Sequence, residues 1–103
     1  MKEDQENLTR SLITLILSRQ AGSEIVALAA EAVAAYARFN HRVSRIKYDK
    51  HITDDEFMAL LDLTDVLLQN LQMAIQKFDV DANQETLCQV LSEIRRQLDQ
   101  AAR

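Results

Sequence analysis

A single glycine, Gly22, and no proline stand in a chain of 103 residues. Each β-hairpin needs residues that tolerate tight turns, and a fold made of hairpins needs them repeatedly. This chain lacks them, which excludes an all-β architecture. Leu, Ala and Gln are abundant instead, with Glu and Arg frequent, and these are good helix formers. Residues 1–103 have the length of one domain, and with 48% hydrophobic residues they can supply its core. A domain this small still leaves much surface uncovered, so association with another chain is expected.

Apolar spacing predicts four helices, roughly 7–20, 24–49, 54–78 and 84–101. The first has Leu8, Leu12, Leu15 and Ile16 on one face, widened by Ile13 and Leu17. Gly22 is placed to end it in the left-handed conformation, with Ser23 as the cap of the next. In the second helix Ile25, Ala29, Ala32, Tyr36, Phe39, Val43 and Ile46 alternate steps of four and three, a heptad seam. Val26, Leu28, Ala30, Val33 and Ala34 lie off that seam, so burial on nearly all sides is expected there.

Thr53-Asp54-Asp55-Glu56 reads as a capping box opening the third helix. That helix carries two stripes and therefore predicts two neighbours. One is Phe57, Leu61, Thr64, Leu68, Leu71, Ile75 and Phe78; the other is Leu60, Leu63, Leu67, Asn70 and Ala74. Asn70 reads as an amide at the edge of the face. Asp81 or Asn83 caps the fourth helix, where Leu87, Leu91, Ile94, Leu98 and Ala101 form one stripe beside Val90. A single stripe predicts a peripheral helix.

Short loops make successive helices antiparallel, so an all-α, up-down four-helix bundle follows. The middle two helices are the longer ones. They predict a long central hairpin flanked at one end by two shorter helices, with a tip at roughly 40–62 protruding. Val43, Ile46, Tyr48, Ile52, Phe57 and Met58 on that tip ask for a partner, a second copy being one candidate, and a homodimer is expected.

Charge is concentrated at the same place. Residues 36–51 hold Arg38, Arg42, Arg45, Lys47 and Lys50 against Asp49 alone, a balance of +4, while the rest of the chain carries −8. Arg38, Arg42 and Arg45 share one helical face, and guanidiniums so placed suit carboxylates or phosphates. Tyr48, His41 and His51 lie among them. The partner-binding residues are therefore expected to be Arg38, His41, Arg42, Arg45, Lys47, Tyr48, Lys50 and His51. A net charge of −4 and the acids Asp54, Asp55 and Glu56 just across the turn weigh against nucleic acid. A dimeric nucleic-acid-binding regulator using this basic face is the alternative.

Other chemistry is poorly supported. His41 and His51 have neither an HExxH spacing nor a cysteine partner, so no metal site is expected. Asp79-x-Asp81-x-Asn83 begins like an EF-hand loop, but Gln84 stands where Gly is required and Val90 where the bidentate Glu belongs. Cys88 is the only cysteine, lies one residue off its helix's stripe, and has no histidine nearby to act as base. Glu31 interrupts an apolar stretch and calls for a cation, with Arg10 or Arg19 in reach. No stretch approaches a membrane span, and residues 1–6 resemble neither a signal nor a transit peptide. One cysteine fits a reducing, cytoplasmic setting. The expectation is a non-enzymatic protein-binding regulator with no cofactor or small-molecule substrate. It would be an adaptor, inhibitor, immunity-type or chaperone-like small bacterial or phage protein acting by helix-surface docking.

Overall fold

The computed structural model describes the backbone of residues 2–49, 53–81 and 83–102, and the side chains of residues 6–46, 53–80 and 83–102. Its elements are α1 (Lys2–Leu17), α2 (Ser23–Asp49), α3 (Asp54–Asp81) and α4 (Gln84–Ala101), with no strand among the described residues. These are the four helices of the expected all-α bundle. Helix α1 begins five residues earlier than the apolar pattern indicates, because polar helix formers extend it without adding to the seam. It also ends sooner, at Leu17. Ser18 N–H donates to the Leu15 carbonyl at 3.2 Å, and Ser18 Oγ accepts from Gln20 N–H at 3.3 Å, turning the chain out of the helix.

Gly22 departs from expectation. Its backbone is not left-handed, and its carbonyl accepts the Val26 N–H at 3.1 Å. Gly22 is therefore the N-cap of α2, and Ser23 is the first helical residue rather than the cap. A Cβ at Gly22 would lie 3.5 Å from the Gln84 amide, an ordinary contact, so neither sterics nor φ demands glycine there. The Asn83 cap forms as expected, and of the Thr53/Glu56 capping box the threonine half forms without the reciprocal Glu56 bond. Thr53 Oγ1 accepts from Glu56 N–H at 3.2 Å, and Asn83 Oδ1 accepts from Glu85 N–H at 3.1 Å.

The core is built from Leu8, Leu12 and Leu15 of α1, Ile25, Ala29, Ala32, Ala35, Phe39 and Val43 of α2, Leu67, Leu68, Leu71 and Ala74 of α3, and the whole α4 stripe from Leu87 to Leu98. Thr64 is fully buried among them, and its hydroxyl donates to the Leu61 carbonyl at 2.7 Å. Tyr36 stacks obliquely near Phe39 and is hydrogen-bonded to Thr9 of α1. Burial pushes its hydroxyl above the ordinary tyrosine value, against the effect of that bond. Asn70 is exposed, the edge amide expected of it.

Helix pairing differs from a central hairpin. The long helices α2 and α3 run antiparallel but have almost no direct contact; each packs on both α1 and α4. They occupy opposite corners of the bundle, and α4 is a full corner helix rather than a peripheral one. Its contact with α2 is the most extensive in the molecule. The pairs Glu31–Arg95 and Arg38–Asp99 advance together along both helices, so these neighbours are parallel. The two stripes of α3 face α1 and α4, as two stripes should. Helix α2 has only two neighbours as well, so Ala27, Ala30 and Ala34 face solvent instead of being buried on all sides. Ile13 and Leu17 are likewise exposed, because α1 needs no third partner.

The bundle measures 45 × 20 × 19 Å. At 1.5 Å per residue α2 and α3 each span about 40 Å, the full length, whereas α1 and α4 span about 24 and 27 Å. Over 54–63 no α3 residue is buried; Phe57, Leu60, Leu61 and Leu63 are only half covered.

Candidate functional site

The far half of α2 lies beside the C-terminal end of α4. Together they form an open groove of ≈ 600 Å³, lined by Ala37, Arg38, His41, Arg42, Arg45, Ile46 and Ala102. Four of the eight sequence-predicted residues, Arg38, His41, Arg42 and Arg45, are thus brought together. The side chains of Lys47 and Tyr48, and Lys50 and His51 altogether, lie outside the described residues.

The four are not equivalent. Arg38 is tied down: its Nε donates to Asp99 Oδ1 at 2.8 Å, and its Nη2 lies 2.7 Å from the same oxygen. Asp99 is also 3.8 Å from Arg95 Nε, and Arg95 Nη1 reaches Glu31 Oε2 at 3.1 Å. A surface chain Glu31–Arg95–Asp99–Arg38 therefore stitches α2 to α4. Glu31 takes its cation from α4 rather than from Arg10 or Arg19, because its side of α2 faces α4. Arg42 and Arg45 stand apart from this chain. Arg42 is half-buried, and its Nε is enclosed without a hydrogen-bond partner. His41 and Arg45 are exposed.

Among the described residues no carboxylate lines the groove. Asp54, Asp55 and Glu56 sit exposed in the first turn of α3, where the helix dipole favours them, and none pairs with Arg42 or Arg45. The end of α4 closes the groove through Ala102; its last turn carries no basic residue of its own, and its terminal carbonyls give that end partial negative charge. The spacing of the arginines was legible in the sequence. The contribution of Ala102 and Asp99 was not, since it depends on α4 running parallel to α2 and stopping beside His41; the outward-facing Arg95 and Asp99, four residues apart, were the available sign.

Elsewhere, Cys88 is half-buried, and burial together with the Glu24 carboxylate raises its thiol above the ordinary value. That keeps it protonated and poorly nucleophilic at neutral pH. No cluster of three or more His, Cys, Asp or Glu is gathered among the described residues, and no described helix is long and apolar enough to cross a membrane. The chain matches no family profile, no curated protein and no solved structure.

Proposed function

We propose that this chain is a non-enzymatic protein-binding module that takes an acidic segment of another protein into the groove between α2 and the end of α4. The observation that carries this reading is a groove that holds Arg42 and Arg45 with no carboxylate among its described lining residues, and with the enclosed Arg42 Nε unpaired. An enclosed guanidinium N–H without an acceptor costs stability, and a carboxylate arriving with a partner supplies that acceptor as a charge-assisted bond. The half-covered apolar start of α3 lies at the same end of the bundle and offers contact area beyond the salt-sensitive charges. Arg38 acts differently, as the intramolecular anchor of α4. This also weakens the nucleic-acid alternative, since one of the three aligned guanidiniums is already neutralised by Asp99.

The test compares tagged wild-type chain with Arg42→Glu/Arg45→Glu as baits in host-cell lysate, read by quantitative mass spectrometry. A specific acidic protein should be retained by wild type and lost at least about tenfold by the double variant, the equivalent of 1.4 kcal/mol or more. Circular dichroism should show the same helicity in both. Capture that survives the double variant sinks the groove. Retention of duplex DNA that falls steeply with salt would favour the nucleic-acid reading instead.

A further inference from the structure

Helix α3 carries a third pattern, on the side turned away from the core. Starting from Leu63, whose inner edge packs on the core, Val66, Asn70, Met73, Lys77 and Val80 follow one another in steps of three and four, the spacing of a coiled-coil seam. Val66, Met73 and Val80 are 53%, 69% and 88% exposed, and they are three of the six large apolar side chains exposed among the described residues. Scattered apolar residues on a surface need no explanation; three on one heptad line do. A groove of ≈ 300 Å³ between α3 and α4 runs beside the line, with Ala74, Val90 and Ile94 among its lining.

We propose that this face is the interface of a homodimer in which α3 packs antiparallel against α3 of a second copy, with the two-fold axis between Gln69 and Asn70. The sequence of the stripe is self-complementary about that point. Val66 meets Met73 of the partner subunit, and Met73 meets the partner's Val66. Ala59 falls opposite Val80 of the partner subunit. Lys77 lies opposite the partner's Asp62 and beside the partner's Leu63, so its apolar stem covers the edge of the leucine while its ammonium reaches the carboxylate. Two such ion pairs form by symmetry. Asn70 lies opposite the partner's Gln69 across the axis, where polar residues in an apolar seam fix register. A parallel pairing would put Lys77 against the partner's Lys77 and Asp62 against the partner's Asp62, repulsive in both places. Lys77, the one base of α3 against seven acids, thus finds its complement in Asp62 of the partner subunit, and only in the antiparallel direction. The stripe is on the corner diagonal to α2, so this inference stands apart from the arginine groove.

Sedimentation equilibrium of the full chain from about 1 to 300 µM tests it. The proposal predicts a monomer–dimer transition within that range. Val66→Glu/Met73→Glu should be monomeric throughout with unchanged helicity, since both side chains are already exposed. Asp62→Lys alone should weaken the dimer several-fold, and Asp62→Lys/Lys77→Asp should restore it to within about twofold of wild type. A wild-type chain that is monomeric at the highest concentration overturns the proposal. So does a dimer that survives Val66→Glu/Met73→Glu, or one that the charge exchange fails to restore.

Discussion

The two ends of the bundle are written in the same pattern and packed to different depths. On α3 the four-three spacing is unbroken from Phe57 to Phe78. Leu68 and Leu71 are buried at its middle, whereas Phe57 and Leu61, in equivalent positions, are half exposed. On α4 every stripe residue from Leu87 to Leu98 is essentially inaccessible. The difference is not in the residues but in what lies opposite them. Where four helices run side by side, a seam becomes core. Where α1 and α4 have run out, the same seam keeps one side open. Heptad spacing therefore reports which side of a helix is available for packing, and helix length decides whether that side is occupied.

The largest effect that would break this comparison comes from cutting one leucine at each end. Leu91→Ala removes a fully buried side chain from the four-helix region, where surrounding helices cannot close the space. It should cost about 3 to 4 kcal/mol. Leu61→Ala removes a half-buried one at an open site, leaving little cavity, and should cost about 1 kcal/mol. Urea denaturation of both variants measures the two values. Equal losses would mean that the start of α3 is as well packed as its middle.

A smaller effect sharpens the contrast at the open end itself. Thr53 holds the first turn of α3 through its bond to Glu56 N–H. With no buried residue nearby to hold that turn by packing, the cap carries much of its order. Thr53→Ala should cost roughly 1 kcal/mol in global stability. Amide exchange over 54–60 should accelerate more than over 84–90. Uniform exchange would show that the open end is held by something other than its cap.

Most of the fold was legible because it rests on local rules. Composition excluded sheets, and Thr53 and Asn83 announced helix starts by side-chain chemistry that acts within three residues. The two stripes of α3 correctly implied two neighbours. What misled was arrangement. Nothing in a stripe says which helix fills it, so α2 and α3 read as a hairpin although they sit on the diagonal. The single stripe of α4 read as peripheral although a corner helix needs no more. Gly22 invited a left-handed reading that its role as a carbonyl acceptor for Val26 removes. At the candidate groove the arginines were visible as a spacing, but the distinction between Arg38, already paired, and Arg42, unpaired, depends on where α4 stops.

The smallest effect asks whether surface charge, rather than packing, makes α4 the better-held helix. Glu93 accepts hydrogen bonds from Arg96 Nε at 3.0 Å and Gln97 Nε2 at 2.9 Å. These bonds hold its carboxyl down to about 2, from an ordinary value of 4.5. A carboxylate with a depressed folded-state value stabilises the fold above 4.5, and that contribution disappears as pH falls toward about 2. Glu93→Gln should therefore lower the urea midpoint slightly at pH 6 and not at pH 2, and the difference at pH 6 should shrink in 1 M salt. The Glu93 side chain stands in solvent over about half its surface, so the shift should be far below that of Leu91→Ala. A Glu93→Gln effect at pH 6 that rivals the leucine truncation would mean that α4 is fastened mainly by its surface ion pairs. The contrast between the two ends would then be one of charge instead of burial.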